Sequence, residues 1–147
     1  ALDYALDLGN RLGFRTKNID NYCGYIEFGE GKNLLGIIGH LDVVPSGDGW
    51  DTPPFSSTIK DGKIFGRGAI DDKGPVVASL YAMKAIKDNI KINSRVRLIL
   101  GINEEKDWKC IKHYKEKEEL PTIGFSPDAD FPCIYGMGSI LWSGKRH

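Results

Sequence analysis

The chain has little cysteine, no excess of charge of either sign and no long apolar run, and each absence excludes a class of protein. Its three cysteines, Cys23, Cys110 and Cys133, are an odd number without a Cys-x-x-Cys pair. A disulfide framework is therefore excluded, and a reducing, cytoplasmic compartment is favoured. The 20 basic and 20 acidic residues cancel, which argues against nucleic acid or an anionic membrane as the main partner. No apolar run approaches the roughly 20 residues that cross a bilayer, and no secretory leader opens the chain.

Apolar residues in short continuous or alternating runs predict β-strands. The four runs lie at residues 24–28, 34–39, 95–102 and 123–126. The run at 34–39 contains only apolar residues and glycine, as a strand covered on both faces requires. A hairpin is also predicted at residues 59–68, because Asp61-Gly62 is typical of a two-residue turn.

Apolar residues at helical spacing predict three helices between these strands. The first contains Leu2, Leu6 and Leu12, and the third begins after Asp107, which is expected to cap it. The second begins at Pro75. Its expected apolar stripe consists of Val76, Val77, Leu80, Met83 and Ile86. Strands that alternate with helices predict an α/β fold, a sandwich in which helices flank a mostly parallel or mixed central sheet.

Histidine and acidic residues follow the predicted strands where each strand ends, and one acidic pair precedes the second helix. These clusters are His40 with Asp42, Asp71 with Asp72, Glu104 with Glu105, and Asp128 with Asp130. Ligands of open α/β sheets bind beyond the carboxyl ends of the strands, so the clusters are expected to converge at one rim. Acidic pairs are no more frequent than chance produces at this composition. Glu118-Glu119, inside a polar run, is expected on a solvated face. The other clusters differ from chance acidic pairs in their position, because they lie directly after predicted strands or directly before a predicted helix.

A histidine surrounded by carboxylates, without cysteine, is a ligand set that suits Zn²⁺, Mn²⁺ or Co²⁺. A carboxylate two residues after a ligating histidine is well placed to orient its ring. One carboxylate can bridge two metals, and of two adjacent glutamates one can ligate while the other acts as a general base. Successive side chains alternate in an extended segment, so only one of the two glutamates is expected to face the ligands.

Three motifs resemble the signature of the M20 family of dinuclear zinc peptidases. They are Gly39-His40-Leu41-Asp42-Val43-Val44-Pro45, the stretch Gly-Arg-Gly-Ala-Ile-Asp-Asp-Lys-Gly at 66–74, and the pair Glu104-Glu105. The matches follow in order across residues 36–132. Within the family, the stretch 124–132 and Trp108-Lys109-Cys110 resemble the PepV-like bacterial dipeptidases, which are Xaa-His dipeptidases similar to carnosinases.

The resemblance implies a metal ligand set. His40 and Asp128 would bind the first zinc, Asp71 would bridge both metals, and Glu105 would bind the second zinc. The implied cofactor is therefore two Zn²⁺ ions in a complete site, with Mn²⁺ or Co²⁺ as alternatives. Asp72, next to the bridging residue, would be only a neighbour.

The resemblance also implies the catalytic groups and the substrate. Glu104 would be the general base, and Asp42 would orient the imidazole of His40. An Asp at position 128 goes with aminopeptidases and dipeptidases in this family, whereas a Glu goes with carboxypeptidases and deacylases. A dipeptide is thus the expected substrate. The sequence contains no feature that selects an oligomeric state.

The resemblance covers about the first third of such an enzyme. The family's last metal-binding histidine and its lid domain lie farther along, and His113 and His147 are expected to be ordinary surface residues. Residues 1–147 are therefore interpreted as a partial catalytic domain that lacks the lid domain and the C-terminal part. The start at Ala1 and the divergent tail after Met137 suggest a truncated or frameshifted reading frame, inactive by itself. Two alternatives stay open: a non-catalytic, metal-binding remnant, or a deacylase such as a succinyl-diaminopimelate desuccinylase.

Overall fold

The computed structural model describes residues 1–129 as a mixed sheet with helices on both faces. The helices are α1 (Leu2–Arg11), α2 (Gly74–Asn89) and α3 (Lys109–Lys117). The strands are β1 (Arg15–Ile19), β2 (Cys23–Gly29), β3 (Leu34–His40), β4 (Thr58–Lys60), β5 (Lys63–Phe65), β6 (Arg95–Gly101) and β7 (Ile123–Phe125). A turn segment, Ala69–Lys73, leads directly into α2. Among residues 1–129, no helix is both long enough and apolar enough to cross a membrane.

The main sheet has the order β1-β2-β6-β3-β7, and its strand directions determine where the polar clusters lie. β3 runs parallel to both β6 and β7, whereas β2 is antiparallel to β6 and to β1. β4 and β5 form a separate hairpin that turns at Asp61-Gly62. The predicted α/β sandwich with a mixed central sheet is confirmed. The carboxyl ends of β3, β6 and β7 share one rim.

Two apolar cores cover the two faces of the sheet. Alternate residues of β3 and β6 point into them, so that Ile37 and Leu98 join the core beneath α1 and α2, while Ile38 and Ile99 join the core beneath α3. β3 is therefore covered on both faces, as its continuous apolar run predicts. The thiol of Cys110 lies in the second core, where burial raises its pKa.

The structure corrects three details of the sequence-based description. β1 was not predicted, because its residues are mostly polar and it pairs only as an edge strand. Val77 and Ile86 are exposed, since they lie at the margins of the α2 stripe whose centre is buried. Asp107 is not the N-cap of α3. Trp108 occupies that position with a φ of 59°. The first helical amide, that of Lys109, lies 3.2 Å from Oδ1 of Asn103 and 3.4 Å from Oδ1 of Asp107, so Asp107 contributes to the cap from one residue before the N-cap.

A buried ionic network joins the sheet to α3. Nε of Arg97 donates to Glu27 at 2.6 Å, and Nη1 donates to the hydroxyl of Tyr114 at 2.8 Å. That hydroxyl donates in turn to the main-chain oxygen of Glu119 at 3.0 Å. The guanidinium carbon lies 3.9 Å from the ring centroid of Tyr25. The Arg97 charge thus obtains the partners that burial requires.

The Tyr114 hydroxyl is the link of this network that can be removed with least change in shape. Tyr114→Phe leaves one Arg97 donor and the Glu119 carbonyl without their partner, so the free energy of unfolding should fall by about 1–3 kcal/mol. Urea unfolding measures it. Tyr81→Phe, at an exposed position on α2, is the matched control and should change stability by less than about 0.5 kcal/mol. Equal losses in the two variants would contradict a stabilising role for the network.

Candidate metal centre

The predicted convergence at one rim is present in the structure. Nε2 of His40, the last residue of β3, lies 3.0 Å from Oδ1 of Asp71, 3.5 Å from Oδ2 of Asp128 and 3.9 Å from Oε2 of Glu104. Each carboxylate comes from a different connection of the chain, before α2, after β7 and after β6. Three acidic side chains therefore face one nitrogen of one buried imidazole.

The other ring nitrogen of His40 is held by Asp42. Nδ1 lies 3.1 Å from the main-chain oxygen of Asp42 and 3.5 Å from its carboxylate. A carbonyl oxygen only accepts hydrogen bonds, so Nδ1 carries a proton and Nε2 faces the acidic cluster. Nε2 donates to Oδ1 of Asp71 when the ring is protonated, and its lone pair is available to a metal ion in the neutral ring with the proton on Nδ1. This is the tautomer that a metal-binding imidazole needs.

The carboxylate of Asp42 contacts the glutamate pair more closely than it contacts the imidazole. Its two oxygens accept hydrogen bonds from the main-chain amides of Glu104 and Glu105, each at 3.1 Å. The expected contact between Asp42 and the ring is therefore made mainly by the main chain. The side chain instead holds the turn that carries the two glutamates. Sequence reasoning missed this contact because it joins residues about 60 positions apart.

Both glutamates, which were expected at the site, turn their carboxylates toward His40, although only one of them was expected to face the ligands. Ligand atoms of His40, Glu104 and Glu105 all lie within 4.8 Å of one another. The two glutamates belong to a turn and not to an extended segment, so their side chains do not alternate. A second group whose ligand atoms lie within the same distance contains His40, Asp72 and Asp128.

Asp72, expected only as a neighbour of Asp71, also contacts the main chain of His40. Its carboxylate is fully buried, and Oδ2 accepts the main-chain amide of His40 at 3.0 Å. A Cβ atom built on Gly39 would lie only 2.6 Å from that oxygen, so glycine is required there. Oδ1 has no hydrogen-bond partner within the described part of the chain. The signal in the sequence is the glycine directly before His40, together with an acid directly after Asp71.

The hydroxyl of Ser126 holds the segment after β7, which carries Asp128, against β3. The hydroxyl of Ser126 donates to the main-chain oxygen of Ile38 at 2.9 Å, and the amide of Asp128 lies 3.4 Å from the same hydroxyl. The segment that carries Asp128 is thus anchored to β3, two residues before His40. Asp130, Cys133 and His147 lie outside the described residues.

The crowded acidic groups of the cluster have shifted pKa values. Burial raises the pKa of Asp72 to about 7, with a further contribution from Asp128. Burial also raises the pKa values of Glu104 and Asp128, and neighbouring carboxylates add to both shifts. For His40, burial alone lowers the pKa, but the nearby Glu104 and Asp128 outweigh it and the net shift is upward. Crowded carboxylates that resist ionisation are a donor set that a divalent cation neutralises.

The remaining acidic and histidine candidates lie elsewhere. His113 packs on the ring of Tyr22 and contacts Asp20, as an ordinary structural residue does. Glu118 and Glu119 contact Lys17 and Arg95, and not the rim. Glu118 is mostly buried, so the expectation of a fully solvated pair is wrong for that residue.

Known bacterial proteins are similar to this chain in sequence. The chain is 54% identical over 142 residues to the Bacillus subtilis protein named "Putative dipeptidase YtjP", covering 96% of the chain and 31% of that relative. It is 49% identical over 141 residues to a Staphylococcus aureus protein also named a putative dipeptidase, covering 95% of the chain and 30% of the relative. The chain thus spans about a third of the length of these relatives.

Solved structures are similar over most of the described chain. Human carnosine dipeptidase 1 matches with a TM-score of 0.74 and 28% identity, over 87% of this chain and 32% of that one. An M20 family metallo-carboxypeptidase from Sulfolobus solfataricus matches with a TM-score of 0.70 and 27% identity, over 85% and 31%. Residues 36–146 match the model of the peptidase family M20/M25/M40, which confirms the resemblance read from the motifs. The chain therefore belongs to this peptidase family.

Proposed function

We propose that the protein containing this chain hydrolyses dipeptides at a centre of two divalent metal ions, with zinc as the first choice and Mn²⁺ or Co²⁺ as alternatives. One observation carries the proposal: three carboxylates, those of Asp71, Asp128 and Glu104, surround Nε2 of a buried imidazole within 3.9 Å. The word dipeptidase in the names of the Bacillus subtilis relative and of human carnosine dipeptidase 1 supports a dipeptide as the substrate.

The residues at the rim have separate tasks in this proposal. His40, Asp71 and Asp128 hold the first metal, and Asp71 and Glu105 contribute to the second. The donor set is nitrogen and oxygen only, and it includes carboxylates whose raised pKa values indicate a need for a positive charge. When bound, the metal pair polarises the scissile carbonyl and lowers the pKa of the attacking water.

Glu104 acts as the general base. Its carboxylate lies at the rim with a raised pKa, which suits a group that accepts a proton and returns it near neutral pH. The water oxygen adds to the carbonyl carbon of the peptide bond, and Glu104 takes the proton that is released. It then gives this proton to the amine nitrogen as the carbon–nitrogen bond breaks. Asp42 fixes the glutamate turn through its two amide contacts while it orients His40.

Residues 1–147 form part of a catalytic domain, with the lid domain and the rest of that domain supplied by other residues of the full-length protein. Asp128, at a position where the family's deacylases have glutamate, favours peptide over acyl substrates such as succinyl-diaminopimelate. The convergence of three carboxylates on one buried imidazole favours an enzyme over a non-catalytic remnant. Free, buried Cys23 and Cys110 are compatible with a cytoplasmic location.

The two glutamates provide the sharpest test of the assigned roles. In the full-length protein, Glu104→Gln should lower kcat by about 10²–10⁴-fold while metal content stays unchanged, because the variant loses only the proton acceptor. Glu105→Gln should lower the metal content from two ions toward one. Metal analysis by mass spectrometry and a dipeptide hydrolysis assay measure both. Glu116→Gln, at an exposed position on α3, is the control. Loss of metal in Glu104→Gln with activity retained would show that the roles are reversed.

The buried Asp72 predicts a pH dependence in chelator-treated protein. Its folded pKa of about 7 lies above the ordinary value of 3.8, so the folded state holds the extra proton between these pH values. The stability that this proton contributes is complete below about pH 4, falls by up to about 1.4 kcal/mol per pH unit as the pH rises, and is lost once the pH passes the folded pKa of about 7.

Urea unfolding at pH 5 and pH 8 tests this prediction by comparing slopes. Asp72→Asn should lose less stability between the two pH values than the wild type does. Asp51→Asn, at an exposed position, should behave as the wild type does. Identical pH dependence in the wild type and in Asp72→Asn would contradict a titrating, buried Asp72.

The 147-residue chain alone should bind one metal ion and hydrolyse no dipeptide. Its described residues offer His40, Asp71 and Asp128 to the first metal but only two carboxylates, those of Asp71 and Glu105, to the second. Metal affinity depends on the number and arrangement of ligands. Zinc titration and a dipeptide panel test this expectation. Two tightly bound ions with measurable hydrolysis would contradict it.

A further inference from the structure

We propose that Arg67 is a positioning residue, which together with Trp50 holds the loop that follows Asp42 against the segment that leads to Asp71. The inference rests on the proposed function, since its consequence is the placement of a metal ligand. Neither residue lies among the ligand atoms at the rim. The loop consists of residues 43–54, and the leading segment consists of residues 66–70.

The centre of this contact is one main-chain oxygen. The carbonyl of Ser46 accepts a hydrogen bond from Nη2 of Arg67 at 2.9 Å and another from Nε1 of Trp50 at 2.8 Å. The guanidinium carbon lies 5.3 Å from the centroid of the Trp50 ring, within cation–π range. We name this arrangement of Arg67, Trp50 and Ser46 the clamp.

The main chain of Arg67 and Gly68 also contacts the loop. The amide of Arg67 donates to the carbonyl of Pro54 at 2.7 Å, at the far end of the loop. Gly68 has a φ of +84°, and a Cβ built on it would lie 2.7 Å from Cγ1 of Val43. The segment is thus in close contact with the loop near its beginning, at its middle and near its end.

Short connections transmit this contact to the metal ligands. Ser46 follows Asp42 by four residues, and Arg67 precedes Asp71 by four residues. Between Arg67 and α2 the chain is constrained by a hydrogen bond from the amide of Lys73 to the carbonyl of Gly68 at 3.1 Å. A shift of the segment away from the loop would therefore lengthen the 3.0 Å approach of Asp71 to His40. Ligand geometry must hold within about 0.5 Å for a site to work.

Arginine is suited to this task in a way that lysine is not. Its planar guanidinium stacks on an aromatic ring and donates a directed hydrogen bond at the same time, whereas an ammonium group is a compact point charge. Arg67 also lines an open cavity of about 500 Å³ beside Lys60 and Trp50. A competing role, direct binding of a substrate carboxylate there, predicts a change in KM and not in metal affinity.

The test compares Arg67→Lys and Trp50→Phe with the wild type in the full-length protein. Lys60→Gln is the matched control, because it removes a cation from the same cavity and leaves the clamp intact. Hydrogen–deuterium exchange of chelator-treated protein reports on the loop, residues 43–54, and on the leading segment, residues 66–70, without metal. Cobalt affinity, measured by competition with a chelator and by the visible spectrum of bound Co²⁺, reports on the site.

Arg67→Lys should speed exchange in both segments and weaken cobalt binding by about 10–100-fold, the usual effect of losing a residue that supports metal ligands. Trp50→Phe should also speed exchange and weaken cobalt binding, but less than Arg67→Lys does, because an aromatic ring remains beside the guanidinium. Lys60→Gln should change neither. Unchanged exchange or unchanged cobalt affinity in Arg67→Lys would overturn the proposal, and so would a rise in KM alone. If the wild type bound no cobalt, the proposed function would fail, and the metal-free exchange comparison would itself uphold or overturn the clamp.

Discussion

The parallel pairing of β3 with both β6 and β7 is the constraint on which the site depends. His40 pairs with Gly101 at the end of β6, and Phe125 at the end of β7 pairs with Ile37. Because the three strands point the same way, the residues that follow them emerge at one rim. An antiparallel β6 would have placed the two glutamates at the opposite rim. β2, which is antiparallel to β6, supplies no residue to the cluster.

The rim brings together more acidic groups than can easily be ionised at the same time without a nearby positive charge. Asp72, Glu104 and Asp128 all have raised pKa values, chiefly because burial removes water from their charged forms. The same crowding becomes favourable when a divalent cation supplies the missing positive charge. Metal binding at a site of this kind would therefore release protons from its carboxyl groups.

The sequence predicts the scaffold of this site better than it predicts the contacts within it. The apolar runs place β3 and β6 within a residue or two, and the position of His40 and the acids after strands predicts their convergence. The grip of Asp42 on two amides and the burial of Asp72 were not predicted, because both depend on turns that hydrophobic periodicity does not describe. β1 escaped prediction for a related reason: an edge strand needs few apolar residues.

Adjacent acids with opposite surroundings explain why the two motifs around His40 and Asp71 occur together. The side chain of Asp71 is 54% exposed and faces the imidazole, whereas that of Asp72 is fully buried beneath the end of β3. Only glycine at position 39 leaves room for the buried carboxylate, which then holds the main chain of His40. The Gly39-His40 pair and the Asp71-Asp72 pair are thus joined by one contact, that of the Asp72 carboxylate with the main chain of residues 39 and 40. A change that removes the space at Gly39 would displace His40 and Asp71 together, although neither side chain had been altered.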